Sequence, residues 1–180
     1  GKPLTRLIPA GQFDAPRGSM SGAGPWNLTA AAAARMIAIN AVRQADIAVD
    51  YEHQLLASAD NGKEAPASGW INPRSLVWIE AGNEPGLYGL IDWTAKAQAM
   101  IDADEYRYLS PVFTYSATTH EPIDLMHVAL TNFPAIDEPI RAALSARSAL
   151  THNQEQHHVN ETLKKLLAQL GLPDTTTEGD

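Results

Sequence analysis

The stretch that decides the fold class is Asp46-Ile47-Ala48-Val49-Asp50-Tyr51-Glu52-His53, where apolar and polar side chains alternate. A period of two predicts a β-strand, with His53 at the end of the apolar side and Asp50 and Glu52 on the opposite side. Just before it, the alanine-rich run 28–44 follows an asparagine that can cap a helix, and it predicts a long helix. This passage from helix to strand indicates a mixed α and β domain.

Outward from this stretch, short strand-like runs alternate with turns rich in glycine and proline. The further predicted strands are 4–8, 67–71, 76–80, 87–93, 106–113 and 124–131. Thr94 is expected to cap a short helix over 95–103, and another helix is predicted over 138–146. Residues 1–146 are therefore predicted to form one α+β domain.

The C-terminal part of the sequence has a different pattern. Residues 148–159 are polar, whereas leucines recur at three- and four-residue steps over 160–170. This spacing places the leucines on one side of an amphipathic helix. We therefore predict that residues 147–180 form a polar linker and a C-terminal amphipathic helix, separate from the domain.

Composition excludes several classes of function. The 180 residues carry a formal net charge of −8 with a pI near 5.1, which leaves no basic surface for nucleic acid. No apolar run approaches the roughly 20 residues of a membrane span, so no membrane partner is expected. Cysteine is absent, so a covalent nucleophile must be Ser, Thr, Lys or a carboxylate. The first residues lack the apolar stretch of a signal peptide, which predicts an intracellular location.

Histidines that lie within predicted strands are the first candidates for chemistry. The chain has six histidines: three fall in the polar segment after residue 147, and His120 falls in a loop, where solvent exposure is expected. The other two, His53 and His127, each fall in a predicted strand. A half-buried imidazole there requires a hydrogen-bond partner, so these two residues are either satisfied structural histidines or members of a site.

Ser110 is the candidate nucleophile in the strand-like run 105–113. Pro111 follows it directly, which forces Ser110 into an extended conformation and removes one hydrogen bond of the sheet. Such a position indicates a strand edge or a β-bulge, where a hydroxyl can face a substrate. Spacing alone favours a structural serine.

A metal site formed by Asp50, Glu52 and His53 is a further hypothesis. Carboxylates and imidazole are suitable ligands for divalent metals. In a regular strand, however, the two carboxylates point away from the imidazole. The spacing therefore gives little support to the hypothesis of a hydrolase that uses a metal ion bound by these three residues.

Several uncommon sequence words occur in order along the chain. They are Val49-Asp50-Tyr51-Glu52-His53-Gln54, Ala65-Pro66-Ala67-Ser68-Gly69-Trp70-Ile71, Gly86-Leu87-Tyr88-Gly89, Trp93-Thr94, the run 105–113 and Leu130-Thr131-Asn132-Phe133-Pro134-Ala135. Over roughly residues 4–140 they resemble the Mu-like prophage I protein family, the capsid maturation proteases of Mu-type tailed phages. That family is similar to the wider phage prohead proteases and, more distantly, to the herpesvirus assemblins.

The resemblance implies a fold and a set of site residues. The implied fold is α+β, a small mostly antiparallel β-barrel flanked by helices, and the implied activity is that of a serine protease. By position, His53 matches the family's histidine base and Ser110 its serine nucleophile. His127 falls where many prohead proteases have an acidic residue and the assemblins a second histidine, so it is expected to be the third member. Asp50 and Glu52 remain alternatives for that third role.

The resemblance also implies substrates and a place of action. A protease of this kind is expected to cleave itself, the internal scaffold and the major capsid protein inside the assembling procapsid, in the host cytoplasm. A homo-oligomer is expected, and a serine mechanism needs no metal or other cofactor. The alternative function is a non-enzymatic scaffold or core protein of the phage head, in which the serine and histidines are ordinary strand residues.

Overall fold

The computed structural model describes residues 2–142, which belong to one compact unit. Its strands are β1 (Leu4–Pro9), β2 (Gly11–Phe13), β3 (Trp26–Leu28), β4 (Ile47–Tyr51), β5 (Gly69–Ile71), β6 (Val77–Ile79), β7 (Gly86–Trp93), β8 (Tyr108–Tyr115), β9 (Pro122–Thr131) and β10 (Ile140–Arg141). Its helices are α1 (Ala30–Ala41), α2 (Gln54–Asn61) and α3 (Ala95–Asp102), with one 3-10 turn at Pro73–Ser75.

Eight of the strands form one sheet that is nearly closed into a barrel. The pairing order is β1-β7-β5-β4-β9-β8-β10, and β6 also pairs with β7. At the ends of this order, β1 lies beside β8 and β10. All pairs in the sheet are antiparallel except β4 with β9, which are parallel. The predicted fold class, an α+β fold with a mostly antiparallel barrel flanked by helices, is confirmed.

Helix α1 begins later than the sequence pattern predicts. Thr29, rather than Asn27, is the N-cap residue: its hydroxyl accepts a hydrogen bond from the Ala32 N–H at 3.1 Å. Both residue types are good caps. Asn27 instead pairs with Gln12 in the two-stranded ribbon of β2 and β3, and this pairing keeps it out of the helix.

The hydrophobic core is formed by large apolar side chains from most of the strands and from α1. The fully buried large residues are Leu7, Ile8, Leu28, Met36, Ile47, Val49, Ile71, Leu87, Leu109, Leu125, Leu130 and Ile140. Beside them, Trp26 packs edge-on against Phe113, with ring centroids 5.7 Å apart. Burial of this apolar surface is the main stabilising contribution to the fold.

The predicted helix over 138–146 is wrong in its described part. Ile140 and Arg141 form β10, which pairs with Leu109 and Tyr108 of β8. Ile140 is buried in this pairing, so packing against the edge of β8 determines the local conformation. The predicted linker and amphipathic helix of residues 147–180 lie outside the described residues. None of the helices in residues 2–142 is long and apolar enough to cross a membrane.

Candidate active site

The candidate site lies on one face of the three adjacent strands β4, β9 and β8. Ser110 of β8 lies directly opposite Ala129 of β9, and Asp50 of β4 pairs with the same Ala129 from the other side. His127 lies two residues before Ala129, so it is a diagonal neighbour of both Ser110 and Asp50 on this face. The register therefore brings a hydroxyl, an imidazole and a carboxylate around one small alanine.

This polar face is almost completely buried. Ser110 exposes 1% of its surface, Asp50 0% and His127 7%. No strand in residues 2–142 pairs with Ser110 on the side away from β9, because β10 ends its pairing at Leu109. This geometry agrees with the strand edge that Pro111 indicates.

A β-bulge lies beside His127. Val112 pairs with His127 and the next residue, Phe113, pairs with Leu125, so Met126 is an extra residue in β9. Bulges occur frequently next to active sites, where they change the direction of a side chain. Here the bulge shifts the register of β9 directly before the histidine.

His53 does not lie on a strand, which corrects the sequence prediction. Strand β4 ends at Tyr51, and both Glu52 and His53 adopt left-handed backbone conformations, with φ of 55° and 59°. Such φ values are uncommon for residues other than glycine and are often found at functional sites. His53 is thereby the N-cap residue of α2, although its side chain makes no capping hydrogen bond. After these two left-handed residues, the ring of His53 lies beside that of His127 in β9.

The rings of the two histidines are neighbours without a direct hydrogen bond. The centroids of His53 and His127 are 6.2 Å apart and their planes are inclined by 69°. Within the described part of the chain, His53 Nδ1 and His127 Nε2 are buried and have no hydrogen-bond partner. Buried polar atoms without partners are uncommon in folded proteins, and they require an explanation.

Burial sets the protonation behaviour of both imidazoles. Burial lowers the pKa of His53 below its ordinary value of 6.5, and the charges of Asp50 and Glu52 partly oppose this. Burial also lowers the pKa of His127, an effect that Asp50 opposes and that His53 reinforces. Both rings are therefore predominantly neutral at neutral pH, which is the state in which an imidazole can accept a proton.

Glu52, although next to His53, is bound at the end of β9. Its Oε2 accepts a hydrogen bond from the Thr131 hydroxyl at 2.6 Å, and its backbone N–H donates to the Leu130 carbonyl. Within residues 2–142, no three histidine or acidic side chains are arranged to hold a metal ion. The hypothetical ligand set of Asp50, Glu52 and His53 is thus not assembled in this part of the chain.

Sequence reasoning missed helix α2 and the position of Asp50. Asp50 lies on the same face as Ser110, and its Oδ2 accepts a hydrogen bond of 2.7 Å from the Leu55 N–H in the first turn of α2. The available signal was the spacing of Asp50 before residues 54–61, because an aspartate just before a helix often binds its free N–H groups. The alternating pattern predicts a strand that continues through His53, and this prediction leaves no place for the start of a helix at residue 54.

Comparison with known proteins places this chain in a family. The model of the Mu-like prophage I protein N-terminal domain matches residues 5–142, which include all three candidate residues. The chain belongs to the Mu-like prophage I protein family. The match ends at the last residue that the structure describes, so the family domain and the described barrel coincide.

Two curated relatives align over most of the chain. It is 37% identical over 175 residues to a protein named Protease I from Escherichia phage Mu. It is 34% identical over 170 residues to a protein named Mu-like prophage FluMu I protein from Haemophilus influenzae. Each alignment covers 93% of this chain but 47% of the relative, so the chain spans about half the length of these curated relatives. No solved structure matches the chain.

Proposed function

We propose that this member of the family is the protease part of a phage-head maturation serine endopeptidase. In this proposal Ser110 is the nucleophile, His53 the general base and His127 the third member. The supporting observation is that Ser110 and His127 share a buried sheet face while the ring of His53 packs beside that of His127. The relative named Protease I supports proteolysis as the reaction.

The proposed reaction follows the serine protease scheme. Ser110 Oγ attacks the carbonyl carbon of the scissile peptide bond while its proton passes to a ring nitrogen of neutral His53. His53 then gives this proton to the leaving amine as the peptide C–N bond breaks, which leaves an ester on Ser110. A water molecule, deprotonated by His53, hydrolyses the ester and restores the hydroxyl. The lowered pKa of His53 supports its role as base in the first step.

His127 is proposed to orient His53 and to share its proton. The two rings are 6.2 Å apart between centroids, and each has a buried nitrogen without a partner among the described residues. Catalytic hydrogen bonds are often long without substrate and shorten in the complex. Because a neutral imidazole stabilises an imidazolium less than a carboxylate does, a modest rate is expected from these two histidines alone.

The proposed substrates are those of a protease in an assembling particle. We propose that the enzyme cleaves itself, the internal scaffold and the major capsid protein, and that it acts as a homo-oligomer inside the procapsid in the host cytoplasm. The relatives extend well beyond this chain, which leaves room for a scaffold region in the longer proteins. The competing function, a scaffold or core protein without activity, predicts no reactive serine.

A fluorophosphonate probe tests the proposal on the 180-residue chain. This reagent forms a covalent bond with an activated serine hydroxyl, and peptide mapping by mass spectrometry identifies the labelled residue. We expect labelling of Ser110 in the wild type and none in Ser110→Ala. His53→Ala is expected to reduce the labelling rate by about 10³-fold or more, because the hydroxyl then lacks its base.

Ser116 provides a matched control for this experiment. It is close in sequence to Ser110, but its hydroxyl oxygen accepts hydrogen bonds from the Thr118 and Thr119 N–H groups in a loop. Ser116→Ala should label at the wild-type rate.

In parallel, mapping the termini of the chain after incubation at high concentration detects self-cleavage. Absence of both Ser110 labelling and Ser110-dependent cleavage would support the non-enzymatic scaffold function instead.

A further inference from the structure

Asp50 is the buried carboxylate that the proposed mechanism does not use. It is fully buried, and its Oδ1 has no hydrogen-bond partner among the described residues. A buried carboxylate oxygen without a partner is destabilising, so a compensating role is expected. Two other unpartnered atoms, His53 Nδ1 and His127 Nε2, occur in the same site.

These three atoms are chemically complementary. A carboxylate oxygen only accepts hydrogen bonds, whereas an imidazole nitrogen donates one when it carries a proton. Asp50 is a diagonal neighbour of His127 on the sheet, and it lies three residues before His53 across the left-handed turn. One anion is therefore placed near His53, which the proposed reaction protonates, and near His127, which is proposed to orient it.

Asp50 is also held in position from both sides. Its Oδ2 accepts a hydrogen bond from the Leu55 N–H, which fixes the start of α2 and hence the turn that carries His53. Its backbone carbonyl lies 3.1 Å from the buried Ser68 hydroxyl, whose single proton it shares with the Val49 carbonyl in a bifurcated hydrogen bond. A carboxylate anchored in this way supplies charge in a defined direction without reorganisation.

We propose that Asp50 is a positioning residue of the site: Oδ2 holds the turn that carries His53, and Oδ1 supplies the negative charge that His53 and His127 share. When His53 takes the proton of Ser110, this charge stabilises the imidazolium, which the neutral second histidine cannot do alone. The inference rests on the proposed function for its kinetic consequence. Its electrostatic part can be measured without activity.

Glu52 is the matched control, because it is the second carboxylate near His53. It carries the same charge as Asp50, but it is bound to the Thr131 hydroxyl and influences only one of the two histidines. Asp50 raises the pKa of both His53 and His127, whereas Glu52 raises that of His53 alone. Neutralising each carboxylate in turn is therefore expected to change the pKa values of the two histidines in two different ways.

The test is a histidine titration by NMR in the Ser110→Ala chain, which cannot cleave itself. Asp50→Asn keeps an oxygen that can accept from the Leu55 N–H but removes the charge. We expect it to lower the pKa of both His53 and His127, whereas Glu52→Gln lowers that of His53 only. Unchanged titration of both rings in Asp50→Asn would overturn the inference. If this variant does not fold, Asp50→Ser, which retains a capping oxygen, is measured in the same way.

The kinetic test uses the fluorophosphonate reaction in chains that retain Ser110. Asp50→Asn is expected to lower the labelling rate at its pH plateau by about 10²-fold and to move the acidic limb of the profile to lower pH. The limb moves in this direction because a histidine without its anion loses its proton more easily. A wild-type profile in Asp50→Asn, with labelling still dependent on Ser110, would refute the role of Asp50 while the proposed function stands.

Discussion

The two faces of the β8–β9 pair have opposite characters, although alternate residues of the same two strands form them. On the core face, Leu109 lies opposite Leu130 and Pro111 opposite Val128, all of them buried and apolar. On the polar face, Ser110 lies opposite Ala129. Around this polar face, the buried atoms Asp50 Oδ1, His53 Nδ1 and His127 Nε2 lack hydrogen-bond partners among the described residues.

This difference separates stability from chemistry along one strand. The core face stabilises the barrel by removing apolar surface from water. The candidate site reduces stability, because the unpartnered atoms of Asp50, His53 and His127 lose hydration without gaining hydrogen bonds. Proteins retain such groups where function requires them. Neighbouring substitutions on β8 and β9 should therefore change different properties.

The largest contrast is expected between Ser110→Ala and Leu109→Ala. Ser110→Ala should abolish fluorophosphonate labelling and lower any self-cleavage by about 10³-fold or more, with little change in the free energy of unfolding. Leu109→Ala should destabilise the chain by about 2–5 kcal/mol, because it leaves a cavity in the core. Labelling assays and urea unfolding measure the two effects. Equal loss of stability in both variants would contradict the separation of the faces.

His127→Ala is expected to have the next largest effect on activity. Loss of the second imidazole should reduce the labelling rate by about 10²-fold and leave residual activity, because His53 remains as base. Met126→Ala is the matched control: Met126 is the neighbouring residue, exposes 44% of its surface and should label at nearly the wild-type rate. If His127→Ala behaves like Met126→Ala, the third role passes to a carboxylate. His127→Glu is expected to retain more activity than His127→Ala, because a carboxylate can accept a hydrogen bond from His53 and stabilise its imidazolium.

A smaller effect distinguishes two hydroxyls on the polar face. The Thr131 hydroxyl donates to Glu52 and accepts from the Phe133 N–H at 3.0 Å, whereas the Ser110 hydroxyl is the proposed nucleophile. Thr131→Val should therefore cost about 1–3 kcal/mol of stability, because two partners lose their bond, and should change the labelling rate little. Thermal and urea unfolding of Thr131→Val and of Ser110→Ala measure this difference in stability. A stable Thr131→Val chain without labelling would assign the Thr131–Glu52 pair to the site.

Much of the barrel could be predicted from the sequence, because alternation and capping are local signals. The Thr94 cap of α3 and the long strand β9 follow the pattern closely: the Thr94 hydroxyl accepts from the Ala97 N–H, as a capping residue does. The predicted cap of α1, Asn27, lies two residues before the observed cap, Thr29. Both residues are good caps, and only the pairing of β3 with β2 decides between them.

The candidate site was harder to predict. Alternation placed Ser110 and His127 in strands, but their diagonal relation depends on the register of β8 against β9, which no local pattern contains. The left-handed φ values of Glu52 and His53 are unexpected for residues of these types. Helix α2 has eight residues and none of them is buried, so it lacked an apolar stripe to indicate it.

The smallest expected effect is the pH dependence of stability that the polar face introduces. Burial lowers the pKa of His53 and His127 in the folded chain below the ordinary value of 6.5. Between these folded-state values and 6.5 the unfolded chain binds protons that the folded chain does not, so stability is complete above 6.5 and falls as the pH decreases. Urea unfolding of Ser110→Ala between pH 7.5 and pH 5 should show this fall.

Two further variants in the Ser110→Ala background identify the source of the fall. Replacing both histidines in a His53→Gln, His127→Gln chain should make the decline with pH shallower, because two of the groups that bind protons on unfolding are absent. Leu109→Val, a change on the core face, should lower stability by a similar amount at every pH, since no titratable group is altered. If the doubly substituted chain shows the same decline as its parent, the pH dependence comes from other groups, and burial of the polar face does not hold the two imidazoles neutral.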